Sequence, residues 1–167
     1  MRSYGGPDPF CNGDFEEPLS PCWTIESPPV ERRCSSGGCW ARLGTEADDT
    51  KCEGNISPTT AVLAQTFRPT ATGVLTFSFQ YEIHSLDVLS TAYDTLLVYV
   101  GATRVFTLTH RHEPYGCNNP PLIMSNTVEI PVFVANDVPI TLKYSLVNDH
   151  WYNTYADIDN VRIAYAR

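Results

Sequence analysis

From Ala61 onward, apolar and polar residues alternate in short runs. Between Gly73 and Ile83, Leu75, Phe77, Phe79 and Tyr81 fall on one face, and Thr76, Ser78 and Gln80 on the other. That period of two marks a half-buried strand. Ile140, Leu142, Tyr144 and Leu146 repeat the pattern within Val138 to Val147. Ala61 to Phe67, Thr95 to Val100, Arg104 to Thr109, Thr127 to Val134 and Ile158 to Tyr165 have the same texture. Gly101-Ala102-Thr103 reads as the turn of one hairpin, and Ala135-Asn136-Asp137 as that of another. With Cys39 to Leu43, about eight strands result, antiparallel by their short connections. The predicted fold is all-β, an antiparallel two-sheet sandwich of the jelly-roll kind.

The first sixty residues read differently. Gly, Pro, Ser and Cys dominate, with turn signals at Gly5-Gly6, Ser27-Pro28-Pro29 and Ser35-Ser36-Gly37-Gly38. The expectation is a single domain over 1–167: an extended arm over 1–10, a loop-rich, cysteine-rich stretch over 11–60, and the main strands over 61–167. Six cysteines, Cys11, Cys22, Cys34, Cys39, Cys52 and Cys117, form an even set that could tether the irregular third. Zinc would need close matched pairs, which the spacing lacks. Disulfides imply an oxidising compartment, so the chain is read as secreted or cell-surface. The opening MRSYGGPDPF has no apolar signal segment, which suggests a mature form or an excised domain. Asn55-Ile56-Ser57 is a glycosylation sequon.

Charge narrows the partners. The 167 residues carry 11 Lys and Arg against 19 Asp and Glu, a formal net charge of −8. Nucleic acid and anionic membranes would find no basic footprint. No apolar run is long enough to insert in a membrane.

Two acidic motifs stand at the ends, Asp14-Phe15-Glu16 and Asp157-Ile158-Asp159-Asn160-Val161. Strand parity puts Asp159 on the core side with Val161, Ile163 and Tyr165, where a carboxylate is costly unless paired or metal-bound. Calcium would suit converging acids; Arg162 or solvent is the alternative. Asp149, Trp151, Tyr152 and Tyr155 cluster in a loop before the last strand. Aromatic faces with neighbouring acids suit sugar rings, although such a loop also packs over a sandwich end. His110-Arg111-His112-Glu113 reads as a solvated loop rather than a metal site. No nucleophile elbow, zinc-protease helix or phosphate loop occurs, and Glu82 and Asp94 are not placed across a bond by any pattern. No catalysis is expected.

Asn-Gly-Asp-Phe-Glu at 12–16, followed by Trp23, resembles the opening of calcium-stabilised jelly-roll carbohydrate-binding modules. Ile158-Asp159-Asn160-Val161-Arg162-Ile163 is similar to their terminal strand, with Asn160 where a second aspartate is usual. Cys11, Phe15, Glu16, Cys22 and Trp23 also resemble the start of MAM domains, extracellular jelly-roll adhesion modules. The resemblance implies a Cys11–Cys22 bond, and structural calcium held by Glu16 and Asp159, with Asp14 and Asp157 as further ligands. Three pairings of the other four cysteines remain; a Cys34–Cys39 bridge is feasible across a tight turn and would leave Cys52–Cys117. The implied function is a non-catalytic extracellular module binding a glycan or glycosylated surface protein. The alternative is a subunit that polymerises with itself into a filament or surface layer, its N-terminal arm adding to a neighbour's sheet edge.

Overall fold

The computed structural model describes residues 10–46, 58–111, 116, 119–149 and 151–166. Ten strands follow in order: β1 Thr24–Ser27, β2 Val30–Ser35, β3 Gly38–Leu43, β4 Thr59–Phe67, β5 Gly73–Ser85, β6 Thr95–Val100, β7 Thr103–Thr107, β8 Leu122–Val134, β9 Ile140–Asn148 and β10 Thr154–Tyr165. They form two five-stranded sheets, β1-β4-β9-β6-β7 and β2-β3-β10-β5-β8, with every ladder antiparallel. Among the described residues no helix is long and apolar enough to cross a membrane.

The inward faces interlock through aromatic rings. Phe79 of β5 meets Tyr144 of β9 edge-on at 5.1 Å, and Phe67 of β4 meets Phe77 of β5 at 5.9 Å. Each contact joins one sheet to the other, and Leu63, Leu75, Leu96, Leu142 and Leu146 fill the space around them. Burying each such side chain contributes about 1.5–3 kcal/mol.

The strand alternation predicts the core, but three expectations change. β8 and β9 do not form a hairpin: β8 pairs with β5 and β9 with β4 and β6, in opposite sheets. The short Ala135-Asn136-Asp137 segment arches across the sandwich. It is tied to the other arch, between β4 and β5, by Asp137 N–H to the Pro69 carbonyl at 2.8 Å and Asn136 N–H to Thr72 Oγ1 at 2.9 Å. Second, the N-terminal third holds β1 and β2 as well as β3, one strand for the first sheet and two for the second. Third, β10 begins at Thr154, so Tyr155 is a strand residue and not part of the aromatic loop.

The described chain starts at Phe10, whose ring packs edge-on against Trp23 and Phe67; the rest of the expected 1–10 arm lies outside the described residues. Cys11 bonds Cys22, and Cys34 bonds Cys39 across the β2–β3 hairpin. Cys52, Cys117 and Asn55 lie outside the described residues. Gln65 of β4 brackets Cys11, accepting from its N–H and donating to its carbonyl, both at 2.8 Å. Phe15 and Trp23 are buried, and the Trp23 indole N–H donates to the Asn12 carbonyl at 2.8 Å. Gly13 lies against β10, where a Cβ would come within 1.9 Å of the Val161 carbonyl oxygen.

Candidate functional site

Strand β10 explains where the predicted acids go. Its buried positions are Thr154, Ala156, Ile158 and then Val161, so the alternation slips once. The slip falls between Asp159 and Arg162, with Asn160 at φ 49°. Asparagine tolerates this left-handed backbone better than most residues, and a bulge inserts one residue into a strand. Asp159 therefore shares the outward face with Tyr155 and Asp157, whereas Val161, Ile163 and Tyr165 turn inward. Strict parity would have put Asp159 in the core; the bulge keeps it out.

Asp159 lies within reach of the charges of the N-terminal motif. Burial raises its pKa, the charges of Glu16 and Asp14 raise it further, and the Asn160 N–H and Arg162 act the other way. Each of these carboxylates has one oxygen engaged by backbone: Glu16 by the Cys39 N–H, Asp14 by the Glu16 N–H, Asp159 by the Asn160 N–H. Asp157 is placed elsewhere in the charge pattern. Its two oxygens accept from Arg42 Nε and Nη2 at 2.7 and 2.9 Å, and Arg42 Nη1 donates to Glu46 at 2.7 Å. This paired fork raises the guanidinium pKa still further.

The outward face of β3, β10, β5 and β8 forms an open groove of about 740 Å³. Trp40 and Arg42 come from β3, Tyr155, Asp157 and Asp159 from β10, Gln80, Glu82 and His84 from β5, and Ser125, Asn126 and Thr127 from β8. The Tyr155 ring is fixed between two neighbours: His84 stacks on it at 4.5 Å and 12°, and the Arg42 guanidinium lies 4.1 Å from its centroid. His84 Nε2 in turn contacts Glu82 at 2.6 Å. The Trp40 indole N–H is enclosed with no acceptor among the described residues.

A second cleft, about 860 Å³, opens at one end of the sandwich, lined by Tyr93, His110, Arg111, Asp149, Trp151 and Tyr152 among others. Asp149, Trp151 and Tyr152 all line this cleft, whereas Tyr155 lines the groove. Trp151 and Tyr93 are 44% and 48% exposed. His112 and Glu113 lie outside the described residues. Glu82 opens into the groove, whereas Asp94 is completely enclosed below the end cleft.

The architecture has known counterparts. No family model and no curated protein matches the sequence. Solved structures do match the fold. The carbohydrate-binding module TmCBM61, solved in complex with β-1,4-galactotriose, aligns over 93% of this chain and 96% of its own, at TM-score 0.52 and 10% identity. A CBM4 structure aligns over 95% of this chain and 100% of its own, at TM-score 0.51 and 14% identity. The K3 cleaved adhesin domain of the Lys-gingipain of Porphyromonas gingivalis W83 gives TM-score 0.54 and 12% identity over 92% and 97%. The fold is shared with carbohydrate-binding modules. At these identities the likeness establishes the jelly roll and leaves the ligand to be argued from the residues.

Proposed function

We propose that this chain is a non-catalytic, extracellular carbohydrate-binding module whose ligand lies in the groove on the β2-β3-β10-β5-β8 sheet. The observation that carries the reading is the groove's composition: an aromatic floor of Trp40, His84 and Tyr155 among Gln80, Glu82, Asn126, Thr127 and Asp157. Sugars need apolar ring contact together with directed hydroxyl partners. Because both faces of Tyr155 are covered, its edge and hydroxyl meet the ligand, and Trp40 supplies the larger apolar surface. The fold shared with sugar-binding modules and the disulfides of an oxidising compartment support the reading.

Binding to a broad glycan array tests it, with Trp40→Ala and Gln80→Ala compared with wild type. Loss of signal in both, with unchanged melting temperature, is expected. Absence of any glycan signal from folded wild-type protein would reject the reading.

A second reading is favoured by the exposure of Trp151 and Tyr93 at the end cleft, which would give a second sugar contact there. Trp151→Ala on the same array separates the two: it should silence binding only if the end cleft carries the ligand.

A structural calcium joining Glu16, Asp14 and Asp159 belongs to the same proposal. Burial raises the Asp159 pKa and repulsion by Glu16 and Asp14 adds to the rise, which supports the reading, since a cation there would convert that repulsion into attraction. Asp157, bound by Arg42, stands outside that set.

A further inference from the structure

Beneath the end cleft lie three carboxylates that no sequence motif joins. Asp87 belongs to the loop between β5 and β6, Asp94 ends that loop, and Asp149 follows β9. One oxygen from each lies within 4.8 Å of the others. Asp94 is fully enclosed and Asp87 is 4% exposed. Charges so deep are costly unless each is matched by a partner.

The partners do not suffice. Asp94 accepts from the Asp149 N–H at 2.7 Å and from the Thr154 hydroxyl at 2.6 Å. Asp149 Oδ1 accepts from the Trp151 N–H at 2.9 Å, and Asp87 Oδ1 from the Val88 N–H at 2.7 Å. The second oxygen of Asp87 is buried and has no hydrogen-bond partner among the described residues, although its carboxyl lies against that of Asp149. An orphaned buried acceptor beside two further carboxylates is an arrangement that a cation completes.

We infer that Asp87, Asp94 and Asp149 bind a calcium ion that clamps the β5–β6 loop to the turn between β9 and β10. The donors are all oxygen, which favours a hard cation over zinc. Two calcium–oxygen bonds of about 2.4 Å span up to about 4.8 Å, whereas magnesium's bonds of about 2.1 Å need a tighter cage. Water and backbone carbonyls would complete the shell. Burial supports the inference by pushing the carboxyls up, Asp94 to about 8 and Asp87 to about 6, with the neighbouring aspartates adding to the rise. His110 and Arg111 line the cleft above. This site is separate from the chain-end acids and independent of the sugar reading. Its consequence is local: Asp149 also receives the Trp151 N–H, so the ion would fix the aromatic rim of the end cleft.

Hydrogen exchange of the chelated full chain, with and without added CaCl₂, tests it. Slowed exchange over residues 86–95 and 148–154 is expected, lost in Asp149→Asn and retained in Asp159→Asn. Calcium affinity by calorimetry should fall about tenfold or more in Asp149→Asn. Calcium-linked protection confined to residues 11–17 and 157–163, or no calcium binding, would overturn the site, the latter meaning that protons satisfy the cluster. If Asp149→Asn does not fold, the wild-type exchange pattern alone decides.

Discussion

Gly13 and Val161 touch backbone to backbone: the Val161 N–H donates to the Gly13 carbonyl at 2.8 Å, and no Cβ fits between them. This one contact brings the two acidic end motifs together. It requires glycine for reasons of space, and it sits immediately after the bulge that redirects β10. Gly13→Ala must displace one backbone from the other, at a cost of about 1–3 kcal/mol. Urea unfolding measures this, and an unchanged midpoint would mean that the segment docks differently.

Gln65 is a further fastening of the N-terminal segment. It is almost fully buried and gives Cys11 both a donor and an acceptor. Gln65→Leu strands the Cys11 N–H and carbonyl, and a loss of about 1–3 kcal/mol is expected in the same assay. Equal stability would show that water replaces the side chain.

The chain-end acids make a prediction whose two parts have opposite signs. In chelator, Asp159→Asn should melt higher than wild type, because it removes a carboxylate that burial penalises and that Glu16 and Asp14 repel. In calcium the order should reverse, since the variant has lost a ligand while wild type gains ligand-linked stability. Differential scanning calorimetry in both buffers reads both signs.

Charge in the groove bears on ligand choice. Glu82, Asp157 and Asp159 face it with Arg42, and Arg42 is already engaged by Asp157 and Glu46. Neutral oligosaccharides should therefore bind better than uronic-acid or sulfated chains of equal length, and Glu82→Gln should narrow the gap. Calorimetric titration of matched neutral and acidic oligosaccharides measures the preference.

Much of this architecture is legible from alternation. Leu75, Phe77, Phe79 and Tyr81 announce a core strand because period two and burial coincide. β2 escapes detection because Val-Glu-Arg-Arg-Cys-Ser looks like a solvated loop; its ladder partner β3 makes it a strand. The β8–β9 connection misleads since a short loop suits a hairpin and an arch between sheets alike. Asn160 gives no warning of its bulge. Asp87 and Asp94 stand at opposite ends of one loop and Asp149 belongs to another, so only the folded chain brings the three carboxylates within reach.

The bulge at Asn160 has a broader effect. β10 spends its first half supplying Tyr155, Asp157 and Asp159 to the open groove, then changes phase and spends its second half closing the hydrophobic interior. Flattening the bulge with Asn160 retained would exchange inside for outside along one half of the strand, whereas deleting Asn160 would give unbroken alternation with every other side chain on its present face. A single inserted residue thus lets one strand serve both surfaces in two phases: Tyr155, Asp157 and Asp159 before it face the groove while Ala156 and Ile158 face the core, and Val161, Ile163 and Tyr165 after it take the core side.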